Sequence, residues 1–209
     1  MMRCRALLAA GLMTSSAFAA EAVSIGVKGG VPLTDAFEVF NRNAVSYAVN
    51  TKRYLVGPTV EFHLPLRLSL EVDALYKRLG YQYSNVGTQT FARTVINSWE
   101  FPVLGKWEIL PGPMRPFVDL GASFRHLSGV SQVRSVAGAV GVQVNAAEFN
   151  RSNDIGLAAG FGIAFKAGPV RISPEFRYTH WGTESFRDPV NALLRTRRDQ
   201  GDFLLGLTF

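Results

Sequence analysis

The chain is poor in the residues that most enzyme chemistry needs. It has a single cysteine, Cys4, and three histidines among 209 residues. Cys4 stands in an N-terminal segment expected to be removed, so the mature protein has no thiol. That excludes disulfides, thiolate nucleophiles and cysteine-ligated metals. His63, His126 and His180 are scattered, with no HExxH and no calcium-loop spacing, so neither a metal nor a cofactor is expected. Glycine pairs such as Gly160-Phe161-Gly162 fall inside an alternating segment, where they supply small inward residues and room for curvature rather than a phosphate cradle. No apolar run of about 18 residues exists beyond the N-terminus, which excludes a transmembrane helix. Charged residues make up 18% of the chain with a net +6. No zinc-finger spacing or basic helix accompanies that excess, so nucleic acid is not expected as a partner.

What is present begins with an export signal. Met1-Met2-Arg3-Cys4-Arg5 is followed by an apolar stretch from Ala6 to Met13 and then by Ala17-Phe18-Ala19. A basic start, a short apolar centre and an A-x-A end predict a cleaved signal peptide over 1–19 and one mature domain over 20–209. The apolar centre is too short to remain as an anchor. Loss of Arg3 and Arg5 leaves 20 Lys and Arg against 16 Asp and Glu, or +4.

The rest of the chain alternates with period two. Val170, Ile172, Pro174, Phe176 and Tyr178 interleave with Arg171, Ser173, Glu175, Arg177 and Thr179. Neighbouring side chains in a strand point to opposite faces, so one face is apolar and the other charged. Eight such segments are expected, at 22–32, 53–63, 67–83, 97–110, 115–128, 153–167, 169–182 and 198–209. Their connections alternate between tight turns (64–66, 111–114, 167–168) and long polar loops (33–52, 84–96, 129–152, 183–197). That order predicts an all-β fold, an eight-stranded antiparallel up-and-down transmembrane β-barrel with four long loops outside the cell. Pro58, Pro102 and Pro174 lack a ladder donor, so bulges are expected there.

Alternation alone also suits a secreted soluble barrel with its charged face outward. The charge balance favours the reverse. Glu61, Glu71, Asp73, Glu100, Glu108, Asp119, Asp154, Glu175 and Asp202 share the polar face with Lys28, Arg53, Lys77, Lys106, Arg125, Lys166, Arg171 and Arg177. Near-neutrality suits a confined lumen, where an unpaired charge costs several kcal/mol. The expected ion-pair network is Glu71, Asp73, Lys77, Glu100, Lys106, Asp119, Arg125, Arg171, Glu175 and Arg177. Trp99 and Trp107 share one parity and stand about 20 Å apart along a tilted strand, close to the height of a lipid-facing band. With Tyr178 and Trp181 they form the expected aromatic girdle, and Phe62, Phe117 and Phe165 mark its inner edge.

The last strand, Leu204-Leu205-Gly206-Leu207-Thr208-Phe209, preceded by Pro174-Glu175-Phe176-Arg177-Tyr178-Thr179-His180-Trp181-Gly182, resembles the small bacterial outer-membrane β-barrel family typified by the OmpA membrane domain and OmpX. The resemblance implies residence in the outer membrane, and recognition of Phe209 by the outer-membrane assembly machinery. No peptidoglycan-binding region is expected after the barrel.

A lumen of this size is filled by its own side chains, so a narrow channel is the lesser expectation. The principal one is a non-enzymatic barrel with a structural or surface-interaction role. Its alternative is a lipid A-modifying hydrolase, whose family motif His-x-Ser-Asn is only partly met by His126-Leu127-Ser128-Gly129 and by His180-Trp181-Gly182. Arg42, Arg93, Arg134, Arg151, Arg187, Arg195, Arg197 and Arg198 stand in or beside the loops, where guanidinium groups suit lipopolysaccharide phosphates. Val140 to Val144 alternates as a hairpin would, and nothing in the sequence identifies a loop partner.

Overall fold

The computed structural model describes residues 22–40, 44–143, 149–186 and 193–209; the expected signal peptide and Arg42 and Arg187 lie outside the described residues. The described chain is built from strands: β1 Val23–Pro32, β2 Phe37–Val39, β3 Val45–Val49, β4 Leu55–Leu64, β5 Leu68–Asp73, β6 Leu75–Asn85 and β7 Thr90–Glu108, followed by β8 Met114–Val136, β9 Ala139–Gln143, β10 Asn153–Ala167, β11 Val170–Trp181, β12 Leu194–Thr196 and β13 Asp199–Thr208. No helix among the described residues is long and apolar enough to cross a membrane, which says nothing about crossing by strands.

The antiparallel ring runs β1, β4, the β5–β6 pair, β7, β8, β10, β11 and β13. It closes where β13 returns to β1, from Gly26 opposite Thr208 to Pro32 opposite Asp202. Eight walls result, because β5 and β6 share one position in the ring. Closure leaves the ring without unpaired edges, which is what lets a sheet stand in lipid.

Alternation sets the two faces. On β13, Gln200, Asp202, Leu204, Gly206 and Thr208 point inward and are buried, while Leu205 is exposed on the outer wall. The same rule exposes Ile25, Val27, Leu120, Leu157, Phe161 and Phe176, and buries Lys28, Glu71, Asp119 and Arg177.

Three expectations are corrected here. The segment 67–83 is two strands separated at Ala74. Continuing the register places Ala74 opposite Pro58 and Asp73 opposite Pro102. The Ala74 amide donates to the Pro58 carbonyl at 3.0 Å, and a proline nitrogen has no proton to return. The prolines therefore interrupt the ladder without a bulge: the register is the same on both sides of Pro58, Pro102 and Pro174. The bulge lies elsewhere, between Val95 and Asn97 of β7 and the segment Ser128 to Ser131 of β8. Gly129 takes φ +59° there, and a Cβ on it would meet the Asn97 Nδ2 at 2.7 Å.

That bulge lets β8 continue past residue 128, so much of the third expected loop is a hairpin, with Val136 paired to Ala139 and Gln132 to Gln143. It also keeps Leu127 and Val130 both inward although they are three residues apart. Above this level the interior changes character. Phe37, Tyr47, Leu79, Tyr81, Ile96, Leu127, Val130, Phe186, Leu193 and Leu194 pack into one apolar cluster. Two of the polar loops supply its centre: β2 of the first pairs with β12 of the fourth, Val39 opposite Leu194. Phe37, Tyr81 and Phe186 meet edge to face, with ring centres 5.4–6.0 Å apart.

Candidate functional site: a charged lumen beneath an apolar cap

Glu71 stands at the centre of the lumen because β5 directs its side chain inward. It contacts Lys28 of β1 and Lys106 of β7, and accepts a hydrogen bond from Arg177 Nη2 of β11 at 2.9 Å. Arg177 also donates to Asp73 at 2.8 Å and to Glu175 at 2.6 Å. Lys28 reaches Glu175 at 2.9 Å, and Thr59 donates to Asp73 at 2.6 Å. Groups from strands that are distant in sequence are thus tied together across the barrel axis. Removing one member strands a charge of the opposite sign, at a cost of about 3–5 kcal/mol.

Other pairs stand above and below this knot. Lys77 meets Glu100 at 2.6 Å and donates to Gln200 at 3.1 Å. Arg125 donates to Asp154 at 2.9 Å, and its guanidinium lies 4.1 Å from the ring centre of Trp181. Arg171 lies 3.7 Å from Glu61 and 3.5 Å from Glu108. Asp119 is buried but makes neither an ion pair nor a hydrogen bond among the described residues. Arg53, expected inside, precedes β4 and is exposed, at 76% of its side chain, 3.6 Å from Asp35. Lys166 is exposed at the mouth on the short-turn side.

The aromatic expectations divide by parity. Trp99, Trp107, Tyr178 and Phe62 face outward and are exposed. Trp181 is fully buried, because it stands three positions after Tyr178 and an odd step reverses the face. Phe117 is buried for the same reason, one residue from outward Val118, and lies 4.4 Å beneath the Lys106 ammonium. Both rings therefore stack on lumen cations rather than joining a girdle.

The two outward histidines have partners of their own. His126 Nδ1 is 2.6 Å from the Asn153 side-chain oxygen, and His180 Nδ1 is 2.7 Å from Asp199, which also accepts from the Tyr178 hydroxyl. Among the described residues, no serine or threonine hydroxyl hydrogen-bonds to either imidazole. A serine–histidine contact elsewhere joins Ser24 Oγ to His63 Nε2 at 2.9 Å. His63 has no hydrogen-bonding partner legible in the sequence, because Ser24 stands on β1 and reaches it only through the β1–β4 pairing. No group of His, Cys, Asp and Glu suited to a metal ion occurs among the described residues.

A closed antiparallel ring, apolar outward and charged inward, defines a transmembrane β-barrel. The chain belongs to the outer membrane protein β-barrel domain family, whose model matches residues 14–182, and so to the bacterial outer membrane. It is similar in structure to Neisserial surface protein A, at 13% identity over 89% of this chain and 95% of that one, with a TM-score of 0.43. It is similar also to Ail, the attachment invasion locus protein of Yersinia pestis, solved with the heparin analogue sucrose octasulfate (11% identity, 90% and 97% coverage, TM-score 0.42). A third similar structure is the N-terminal β-barrel domain of Pseudomonas aeruginosa OprF, at 11% identity, 89% and 97% coverage and a TM-score of 0.34. No curated protein matches the sequence.

Proposed function

We propose that this is a non-enzymatic surface barrel that acts through what it presents outside the cell and conducts no solutes. The observation that carries this reading is the double obstruction of the lumen. The knot of Lys28, Glu71, Asp73, Lys106, Glu175 and Arg177 fills the axis, and the cluster built on Phe37, Phe186 and Leu194 packs above it. The β8–β9 hairpin and the paired β2 and β12 give the outer surface a fixed shape.

Three further elements of the reading concern partners. Phe209 and the last strand are the signal for the assembly machinery, and the leader over 1–19 is cleaved on export. Arg134, Arg151, Arg195 and Arg198 meet lipopolysaccharide phosphates around the rim. The aromatic residues Trp99, Trp107 and Tyr178 sit at the two lipid–water boundaries.

Planar-bilayer recording of the refolded protein tests the central point. Absence of unitary conductance supports it, and stable openings in the unmodified protein would establish the channel reading instead. The enzymatic alternative is tested by lipid A acylation in cells carrying Ser128→Ala or His180→Ala; an acylation pattern that depends on either side chain would overturn the non-enzymatic reading.

A further inference from the structure

At the end bearing the three short turns, which in this family faces the periplasm, the barrel opens into a cavity of about 450 Å³. Four cations line it: Arg67, Arg115, Lys166 and Arg171. We propose that this cavity is a binding site for a phosphate group presented from the periplasmic side.

The charge count sets the ligand's sign. Glu108 and the terminal carboxylate of Phe209 line the cavity, and Glu61 behind it is balanced by Lys106 at 3.5 Å, so four cations face two carboxylates. The surplus of two accommodates a phosphomonoester, at about −1.5 to −2 near neutral pH, or the single charge of a phosphodiester headgroup with one cation to spare. Donors are also left over. Arg171 Nη1 is buried at 3.5 Å from Glu108 and 3.7 Å from Glu61, yet makes no hydrogen bond. Lys166 makes no ion pair among the described residues and stands free at the rim. Arg115 is already committed, donating to Glu108 at 2.9 Å and to the Gly112 carbonyl at 2.8 Å. It braces the wall while Lys166 and Arg171 supply open donors.

The turn on the facing side adds an independent observation. Leu66 and Arg67 both hold positive φ, at 66° and 63°, where an L side chain crowds its own backbone. Strain of this kind persists where surrounding contacts fix it, and it gathers at ligand sites. Here the strained turn fixes Arg67 on the cavity wall, with Nη1 on the Ile109 carbonyl at 3.0 Å, while Leu66 is 85% exposed.

A free phosphate ester and an anionic lipid headgroup of the inner leaflet share this chemistry, and the test separates them. Mature protein refolded in zwitterionic detergent is titrated with inorganic phosphate by calorimetry. The same protein in phosphatidylcholine bilayers, with and without phosphatidylglycerol, is followed by its unfolding midpoint. Lys166→Gln and Arg67→Gln are the site variants; both residues are exposed, so the fold is retained. Arg78→Gln, exposed at the opposite end, is the control. Phosphate binding about tenfold weaker in the site variants and unchanged in the control supports the site, the loss corresponding to one charge-assisted hydrogen bond. A phosphatidylglycerol-dependent rise in midpoint that the site variants abolish supports the same site with a lipid as its source. Equal responses of site variants and control in both arms, or no response to either probe, would overturn it. None of these readouts depends on whether the lumen conducts.

Discussion

Glu71 receives three cations carried by three different strands, so its carboxylate is a fixed point around which the ring is assembled. Arg177 is the most connected of the three, with separate donors on Glu71, Asp73 and Glu175. Arg177→Met should lower stability by about 3–5 kcal/mol, because three acceptors lose their partner in a dry interior. Urea titration of the gel shift between folded and boiled protein would measure it; a loss under 1 kcal/mol would show that water already screens the knot. A second residue-scale prediction uses the tryptophans. Trp99 and Trp107 face outward and Trp181 lies against Arg125, so brominated acyl chains should quench the first two and spare the third. Single-tryptophan variants read by fluorescence decide this. Quenching of Trp181 would mean that the last turn of β11 is rotated by one residue.

At the scale of elements, β7 and β8 form a long hairpin that changes register once, at the Gly129 bulge. Gly129→Val should be destabilising by about 1–3 kcal/mol, since it combines an unfavourable φ with a contact on Asn97. Hydrogen exchange should localise the damage to the upper part of β8, leaving Val118 to Phe124 protected. Uniform loss along β8 would argue against a local role. This hairpin also shows what could be read in advance. The inward set Glu100, Lys106, Asp119 and Arg125 followed from strict alternation, because a side chain's face is decided by counting residues. Ser128 to Gln132 did not, since a bulge breaks the count by one and a glycine in the chain does not announce its φ. The break at Ala74 was only half visible. Pro58 and Pro102 stood out as lost donors, but their position opposite the adjacent residues Ala74 and Asp73 depends on register, which no single segment carries. Trp181 and Phe117 were legible and were assigned by residue type where parity decides; their lumen position is the parity result.

For the whole molecule, the apolar cluster of Phe37, Tyr81, Phe186 and Leu194 was hidden because Phe37, Phe186 and Leu194 belong to segments that read as polar loops and meet Tyr81 only in three dimensions. Phe186→Ala should destabilise the outer end by about 3–5 kcal/mol yet leave the bilayer current at baseline, since the ion-pair knot remains beneath it. Conductance appearing in Phe186→Ala alone would make the cap the only barrier.

One chain here obeys two solvents. Between Trp107 and Trp99 the wall shows hydrocarbon to its surroundings and keeps salt inside; around the bulge the same strands expose Arg93 and Ser131 and keep Leu127, Val130 and Ile96 inside. Substitution tolerance should therefore invert partway up a single hairpin. Below, an outward arginine is ruinous and an inward serine is mild; above, the outward arginine is harmless and the inward serine opens a hole. The position at which the preference flips is a waterline written into the protein, and a saturation scan along β7 and β8 would locate it without any membrane being imaged.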